Sequence, residues 1–404
     1  MILVFNAGSS SLKFQLYRLN RGQPVRLLRG VVRVAAGQAS CDWVFQGERD
    51  TAVLQLDSHA KAAAYVLERL AKTRWQGQPL LAGVGMLGHR IVHGGDSFSR
   101  PALIDEPMLA VLEELSRLAP LHNPPALEVI HQCRRYLANR RLPMVAVFDT
   151  AYFQSLPGHA RAYALPARWQ QIKRFGFHGL AHRSLAEQCV MLSGLDPGAC
   201  RLISLQLGHG CSAAAVRNGR PLDTSMGYTP LEGLVMATRP GDVDAGAVLA
   251  LAAQPGVVIE ELEKALNTEA GLLGLSGVSA DMRTLLQREQ QGHAGAGLAI
   301  QAFCHRVRKY IGAYLAVLGG ADAIVFGGGI GERSPQVRAR ICDGMQWCGI
   351  ALDPQANQEP ESTAGLVSRP GSRPMVYVVE VDEELLIAQD TLECIAAGNG
   401  NQIG

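Results

Sequence analysis

The chain has 404 residues, more than one small hydrophobic core fills, so two or three domains of roughly 150 residues are expected. Hydrophobic residues make up 48% and charged residues 18%, the balance of folded cores and not of a disordered chain. Lys and Arg number 38 against 36 Asp and Glu, so no cationic excess exists to exchange for counterions and a general nucleic-acid binder is excluded.

Met1 to Asn6 lacks the basic segment and small-residue cleavage site of a secretory signal. It reads instead as a strand, Ile2 to Asn6, stopped by Ala7-Gly8-Ser9-Ser10-Ser11. A second strand follows from Leu12 to Tyr17, where Leu12, Phe14 and Leu16 alternate with Lys13, Gln15 and Tyr17 at the strand period. Strand-like stretches surround Val31 and Leu54, and an Ala-rich helix pattern covers His59 to Arg74 with Val66, Leu67 and Leu70 on one side. Next come a strand from Gly85 to Val92, helical patterns over Met108 to Leu118 and Ala126 to Ala138, and a buried strand from Met144 to Phe148.

The second half reopens with a strand from Leu202 to Leu207, then Gly208-His209-Gly210-Cys211-Ser212, an alternating segment to Val216 and an Asn218-Gly219 turn. Set beside the N-terminus this is a repeat: strand, glycine turn, small residues, strand. A long Ala-rich helix, about Gly295 to Val317, leads to the strand Ala323 to Phe326 and a third glycine turn, Gly327 to Glu332. Ser334 at a cap and Pro335 at the first helical position predict a helix directly after it. The last helix starts near Asp382-Glu383-Glu384.

Forty-four glycines exceed the usual share of about 7%. They gather where strands end, at Gly8, Gly94-Gly95, Gly208, Gly210 and Gly327 to Gly331. There a missing side chain lets backbone approach a ligand, as phosphate loops require; ordinary turns are the alternative for any one cluster. Two related halves and a third glycine turn predict a two-domain α/β protein that grips a nucleotide between lobes. No apolar run approaches the ~20 residues of a membrane span. The nine cysteines are scattered with no C-x-x-C pair, which argues against disulfide and zinc frameworks and for a reduced, cytoplasmic protein.

Several stretches, in order, resemble the acetate kinases of the acetate and sugar kinase/Hsc70/actin superfamily. They are Val4 to Phe14, Gly88 to Gly95, Leu118 to Pro125, Phe148 to Tyr152, Arg174 to Gly179, Asp223 to Gly233, Thr238 to Asp242, Gly329 to Glu332 and Glu383 to Leu385. The resemblance runs over about residues 1 to 395. It implies a duplicated, ribonuclease H-like α/β fold of two related lobes with an interlobe nucleotide cleft. The N-terminal lobe would be residues 1–150, with a C-terminal helix of about 383–404 packing back on it; the nucleotide-binding lobe would be 151–382. The implied activity is reversible transfer of the ATP γ-phosphate to acetate, giving acetyl phosphate and ADP by direct in-line transfer. A homodimer is implied as well.

Acetate is already ionised at neutral pH, so attack on a phosphoryl group demands positioning and charge neutralisation, not deprotonation. Arginine suits that work, because its fork grips carboxylate or phosphoryl oxygens two at a time. The resemblance places Arg90 and Arg239 in the active site, gives His178 the stabilisation of the phosphoryl in flight, and makes Asp149 an essential carboxylate. His122 follows in the second rank. The acyl pocket maps to Val92, Leu121, Phe177 and Pro230 beside Arg90. Nucleotide contacts map to Lys13, to Gln206, Leu207, Gly208, His209 and Gly210, to Asp281, Met282 and Arg283, and to Gly329, Ile330, Gly331, Glu332 and Arg333. Asn6 and Glu383 would hold Mg2+, with Mn2+ an alternative. Taken alone each of these residues has an ordinary structural explanation; the ordered set outweighs it. His131, His159, His182, His293 and His305 are read as structural.

The chain departs from the family pattern at four places. His209 stands where the phosphate loop usually has Asn, Pro240 where it has Ser, Val381-Asp382 where Thr-Asn precedes the glutamate pair, and Arg333 where Asn is common. These departures keep open a kinase of propionate or another short acid, a different phosphoryl donor such as pyrophosphate, and a hydroxyl acceptor with Asp149 as base. From another class, a nucleotide-gated interaction protein of the same fold remains an alternative, though the arginine pair argues against it.

Overall fold

A computed structural model describes residues 1–35, 38–120 and 122–400. Leu121 and the end of the helix expected over 383–404 lie outside the described residues. The chain divides into two compact units, Met1–Ala151 with the chain from Asp382 onward, and Tyr152–Val381.

The first unit is built on strands β1 (Ile2–Ala7), β2 (Ser11–Asn20), β3 (Gln23–Ala35), β4 (Gln38–Phe45), β5 (Glu48–Leu54), β6 (Met86–Ile91), β7 (Ala102–Leu103) and β8 (Met144–Phe148). They form one sheet in the order β5-β4-β3-β2-β1-β6-β8-β7. β1 to β5 pair as an antiparallel meander, whereas β6 pairs parallel with both β1 and β8. One face, carrying Leu3, Phe5, Leu12, Phe14 and Leu16, packs with Val66, Leu67 and Leu70 of the helix His59–Lys72 and with Ile130 and Cys133 of Asn123–Tyr136. The other face is covered by the helix Glu383–Gly400. Gly88 in β6 allows that approach: a Cβ there would stand 2.4 Å from Thr391 Oγ1 and 2.7 Å from Ile387 Cγ2.

This second cover changes the reading of β2. Lys13, Gln15 and Tyr17 alternate with the core face, yet Gln15 and Tyr17 are buried too. Gln15 Nε2 donates to Glu384 at 3.3 Å and Tyr17 Oη donates to Gln15 Oε1 at 2.7 Å. A polar alternation thus marks a hydrogen-bonded internal layer and not a wet surface.

The second unit carries β9 (Arg201–Leu207), β10 (Cys211–Arg217), β11 (Arg220–Thr224), β12 (Ala323–Gly327) and β13 (Met375–Val378), in the order β11-β10-β9-β12-β13. β9, β10 and β11 are antiparallel neighbours, and β12 pairs parallel with β9 and β13. The pattern repeats β3-β2-β1-β6-β8 of the first unit, which is the duplicated topology the resemblance implied. Leu185 and Cys189 of the helix Gly179–Ser193 join Leu202, Ala214 and Val325 in one apolar cluster, and the long helix Ala294–Leu318 also packs on β9, β10 and β11.

Two local expectations need correction. The third glycine stretch is not an open turn: Gly328–Arg333 is itself helical. Gly328 has φ +73° and an added Cβ would lie 2.7 Å from the Leu207 carbonyl oxygen. Ser334 precedes the helix Pro335–Cys342 but caps nothing with its side chain. Its backbone N–H is taken by Ile330 O at 3.1 Å, and its buried Oγ has no hydrogen-bond partner among the described residues. The residue is the joint between two helical segments, which overrides its capping preference.

His89 of β6 stacks on Phe5, with centroids 5.8 Å apart. Burial holds it down to about 3, and burial against the Asp96 charge holds His93 down to about 4. Both bind a proton near pH 6.5 when unfolded, so the unfolded state takes up protons that the fold refuses. Their contribution to stability is full above about pH 6.5 and is lost as pH falls towards the folded values. Urea midpoints should therefore drop from pH 7 to pH 5. A folded His89→Gln variant should lose up to about 1.4 kcal/mol per pH unit of that slope; an unchanged slope would exclude His89 as its source.

Candidate active site

Parallel pairing puts the C-terminal ends of β1, β6 and β8 side by side, and each carries a polar residue: Asn6, Arg90 and, directly after β8, Asp149. Arg90 grips the fully buried Asp149 with two bonds, Nε to Oδ1 at 3.2 Å and Nη2 to Oδ2 at 2.5 Å. Its Nη1 donates to Asn6 Oδ1 at 3.1 Å. Of the five guanidinium protons these bonds use three, which leaves one on each Nη for an incoming anion. Burial opposes the Arg90 charge, but Asp149 and then Glu383 outweigh it, and the pKa is raised.

Asn6 is fixed from the far end of the sequence. Its Nδ2 donates to Glu383 Oε2 and to Glu384 Oε1, both at 2.8 Å, at the start of the last helix. Burial pushes Glu384 up, against the Lys13 ammonium at 3.8 Å, and the Glu383 charge adds to the rise. The two carboxylates are hard oxygen donors of the kind Mg2+ takes one or two of, filling its shell with phosphate and water, whereas Asn6 turns its Nδ2 to them and its Oδ1 to Arg90. Asp382 does not join them: its Oδ1 accepts from Leu385 N–H at 3.0 Å as a helix cap, and it pairs with Arg26 at 3.8 Å.

Val92 is buried, and His122 is half-buried at the start of the helix Asn123–Tyr136. The loop after β6 is held by residues that sequence reasoning passed over. Asn123 accepts from His93 N–H at 3.1 Å and donates to His93 O at 3.0 Å, and Thr150 Oγ1 accepts from Gly94 N–H at 3.0 Å. The Asn-Pro-Pro signature reads first as a helix start, so nothing local reveals this long-range clamp.

In the second unit the β9–β10 hairpin turns at Gly208-His209-Gly210. His209 O accepts from Ala237 N–H at 3.0 Å, which sews the turn to the segment that presents Arg239. A Cβ on Gly210 would stand 3.1 Å from His178 Cε1, 3.2 Å from His178 Nε2 and 3.7 Å from Arg239 Nη2. Turn, imidazole and guanidinium therefore surround one small volume. Arg239 donates to the Pro230 carbonyl at 3.1 Å and has no carboxylate partner among the described residues. Burial accordingly lowers its pKa. His209 is exposed, and partial burial, then the Arg239 charge, shift it downward.

His178 is the N-terminal flank of the helix Gly179–Ser193 at φ 59°, a left-handed backbone that non-glycine residues rarely adopt. The turn before it is over-determined. Phe175 and Gly176 N–H both reach Gly227 O, at 3.0 and 3.3 Å, and Phe177 is buried. Such held strain is characteristic of functional turns. Its Nδ1 lies 2.9 Å from Ser212 Oγ.

The remaining expected nucleotide contacts divide. Gly329 is open, Arg333 is exposed, and Gln206 Oε1 is buried without a hydrogen-bond partner among the described residues. Leu207 and Met282 are buried, so only their backbones can meet a ligand. Glu332 is an internal brace: Oε1 accepts from Gly328 N–H at 2.9 Å and Val381 N–H at 3.2 Å. Gly331 O and Glu332 O are in turn held by the buried Arg338 at 2.7 and 2.8 Å. Asp281 caps its helix through Thr284 N–H at 3.0 Å and pairs with the exposed Arg283 at 3.3 Å. Pro240 follows Arg239 directly, and Gly241 after it, at φ +74°, sits where a Cβ would be 2.4 Å from Gly233 O.

Comparison with known proteins bears on this arrangement. The profile of the acetokinase family matches residues 1–389. The chain is 45% identical over 407 aligned positions to an acetate kinase of Solibacter usitatus, covering 98% of each. The structure of Porphyromonas gingivalis acetate kinase superimposes with a TM-score of 0.85 at 35% identity, covering 98% of this chain and 99% of that one. A propionate kinase from Francisella tularensis superimposes with a TM-score of 0.88 at 34% identity, covering 97% and 99%. With the profile spanning nearly the whole sequence and both solved relatives sharing its fold end to end, the chain belongs to the acetokinase family and is an enzyme, a kinase.

Proposed function

We propose that this kinase transfers the γ-phosphoryl group of ATP reversibly to acetate, with Mg2+ as the metal. The observation that carries the reading is Arg239. It is a part-buried cation with no carboxylate partner among the described residues, and it converges with His178 on a glycine turn. A desolvated charge without an internal counter-ion calls for an anionic ligand. Arg90 complements it: Asp149 and Asn6 orient its fork, and the two remaining protons meet carboxylate or phosphoryl oxygens.

Because the carboxylate nucleophile needs no base, Asp149 serves by holding the Arg90 plane, and the hydroxyl-acceptor alternative loses its proposed base to that bond. Glu383, with Asn6 as the resemblance implies, would hold the metal, which when bound neutralises phosphate charge. His178 and Arg239 donate to the oxygens of the migrating group. The Gly208–Gly210 turn, Gln206 and the open Gly329 meet the donor nucleotide in this reading, and Lys13 is assigned to it by the resemblance alone. The acyl group is assigned to Val92, Phe177 and Pro230 by the resemblance. A pocket of apolar side chains discriminates one methylene by only about 1–3 kcal/mol, so propionate is the competing acceptor, a reading favoured by the likeness to the Francisella protein.

We further propose a cytoplasmic homodimer. Nine cysteines carry free thiols, as a reducing compartment maintains. The helices Ala245–Ala252 and Ile259–Thr268 bury no residue and expose Leu249, Leu251, Val258 and Ile259, an apolar surface that a second copy would cover. Light scattering of the purified chain should give twice the monomer mass, and Leu249→Glu with Ile259→Glu should shift it to monomer. A wild-type monomer would exclude the dimer.

Acyl phosphate trapped as hydroxamate should form with acetate and ATP in the presence of Mg2+. Assays with propionate and butyrate, and with GTP and pyrophosphate, rank acceptor and donor. Arg239→Ala should lower kcat by roughly 10²–10³-fold, the usual loss when a transition-state donor is removed, and Arg239→Lys should recover only part of it. No transfer to any short acid from any donor would overturn the reading.

A further inference from the structure

His182 lies one helical turn beyond His178 on the helix Gly179–Ser193, so the two rings share a face. Between them stands Ser212 of β10, whose Oγ is 2.9 Å from His178 Nδ1 and 2.7 Å from His182 Nε2. On the other side of His182, Nδ1 is 2.7 Å from Ser204 Oγ of β9. Ser204, His182 and Ser212 are fully buried. The row Ser204–His182–Ser212–His178 therefore leads from the interior of the sheet to an imidazole at the Gly210 turn.

We infer that this row is a proton-ordered relay that locks His178 as the tautomer carrying its proton on Nε2, with His182, Ser204 and Ser212 as positioning residues. Neutral imidazole donates from one nitrogen only, so the direction at one nitrogen of His182 fixes the other, and the buried Ser212, once it accepts from His182, has only His178 Nδ1 among the described residues to take its own proton. Ser204 Oγ has no hydrogen-bond partner among the described residues other than His182 Nδ1. If that nitrogen carried the proton, the Ser204 hydroxyl would accept and its own proton would be stranded in a buried site. A stranded donor is costlier than an unused lone pair. Ser204 therefore donates to His182 Nδ1. His182 then bears its proton on Nε2 and donates to Ser212, and Ser212 donates to His178 Nδ1. The His178 proton is left on Nε2, the atom that a Cβ on Gly210 would meet at 3.2 Å. A doubly protonated His182 is disfavoured by the same stranded hydroxyl.

The consequence rests on the reading of His178 as a ligand of the migrating phosphoryl group. Neutral imidazole donates from one nitrogen only, and a phosphoryl oxygen offers only lone pairs. A His178 with its proton on Nδ1 would face that oxygen lone pair to lone pair. The relay removes this unproductive state before substrate arrives, which is the preorganisation an electrostatic site needs.

The direct test is long-range 1H–15N correlation of the enzyme labelled with 15N-histidine, assigned with His178→Gln and His182→Gln spectra. In the wild type, Nδ1 of both rings should resonate as unprotonated and Nε2 as protonated. Ser212→Ala should turn His178 into a mixture of tautomers and lower kcat on the order of tenfold, the kinetic equivalent of one neutral hydrogen bond, with the nucleotide KM little changed. Ser212→Thr, which keeps the hydroxyl, should restore the single tautomer. A protonated Nδ1 on wild-type His178 overturns the relay whatever the activity, as does a single Nε2–H tautomer persisting in Ser212→Ala. Since the wild-type spectrum suffices, the test survives a variant that fails to fold. An enzyme that shows the Nε2–H tautomer but transfers no phosphoryl group supports the relay and overturns only the catalytic reading.

Discussion

Arg90 and Asp149 meet because β6 and β8 run parallel and adjacent, and the organisation of the first unit follows from that pair. Removing one partner of a buried, doubly hydrogen-bonded ion pair costs about 3–5 kcal/mol, so the strands that supply the two residues cannot shift register independently. β1 lies against β6 on the other side and delivers Asn6 to the same edge. The helix Glu383–Gly400 then covers that face, and its Glu383 and Glu384 accept the amide protons that Asn6 and Gln15 present there. A buried carboxylate pair is tolerated there because two amides and the Lys13 ammonium face it.

The two arginines illustrate opposite solutions to the same problem. Arg90 carries its counter-ion with it, and its charge is therefore stable without ligand. Among the described residues Arg239 is held by a carbonyl and no carboxylate, and burial lowers its pKa. The first arrangement gives a rigid fork. The second stores electrostatic demand that an anion relieves. In the proposed reading that contrast makes Arg239 the receiver of negative charge, and a Cβ on the adjoining Gly210 would crowd the space on which Arg239 and His178 converge.

The departures from the family pattern have definite structural surroundings. Asp382 adds a carboxylate beside the presumed metal ligands, yet its side chain caps the helix and pairs with Arg26. Pro240 gives up an N–H beside Arg239, where the neighbouring backbone bonds run from Met236 N–H to Arg239 O and from Asp242 N–H to Gly233 O. His209 gives its carbonyl to Ala237 N–H, and its partly desolvated ring feels the Arg239 charge.

Sequence alone determined the kind of element at most places and the order of the motifs. The strand from Met144 to Phe148 and the repeat of strand, glycine turn and strand could be read directly, because apolar periodicity and glycine placement are local consequences of backbone geometry. It also supplied the family, since nine ordered stretches are a joint constraint that no single residue carries. What it could not supply were relations between residues far apart: that Arg90 is neutralised by a carboxylate 59 positions away, that Gln15 and Tyr17 are interior, or that Glu332 braces a loop. His182 shows the limit most sharply. By itself it reads as an ordinary structural histidine, and only the adjacency of β9 and β10 beneath one helix places a serine on each of its nitrogens. Hydrogen-bond partners across a sheet depend on register and on which face is covered, and those are properties of the assembled fold rather than of any stretch of the chain.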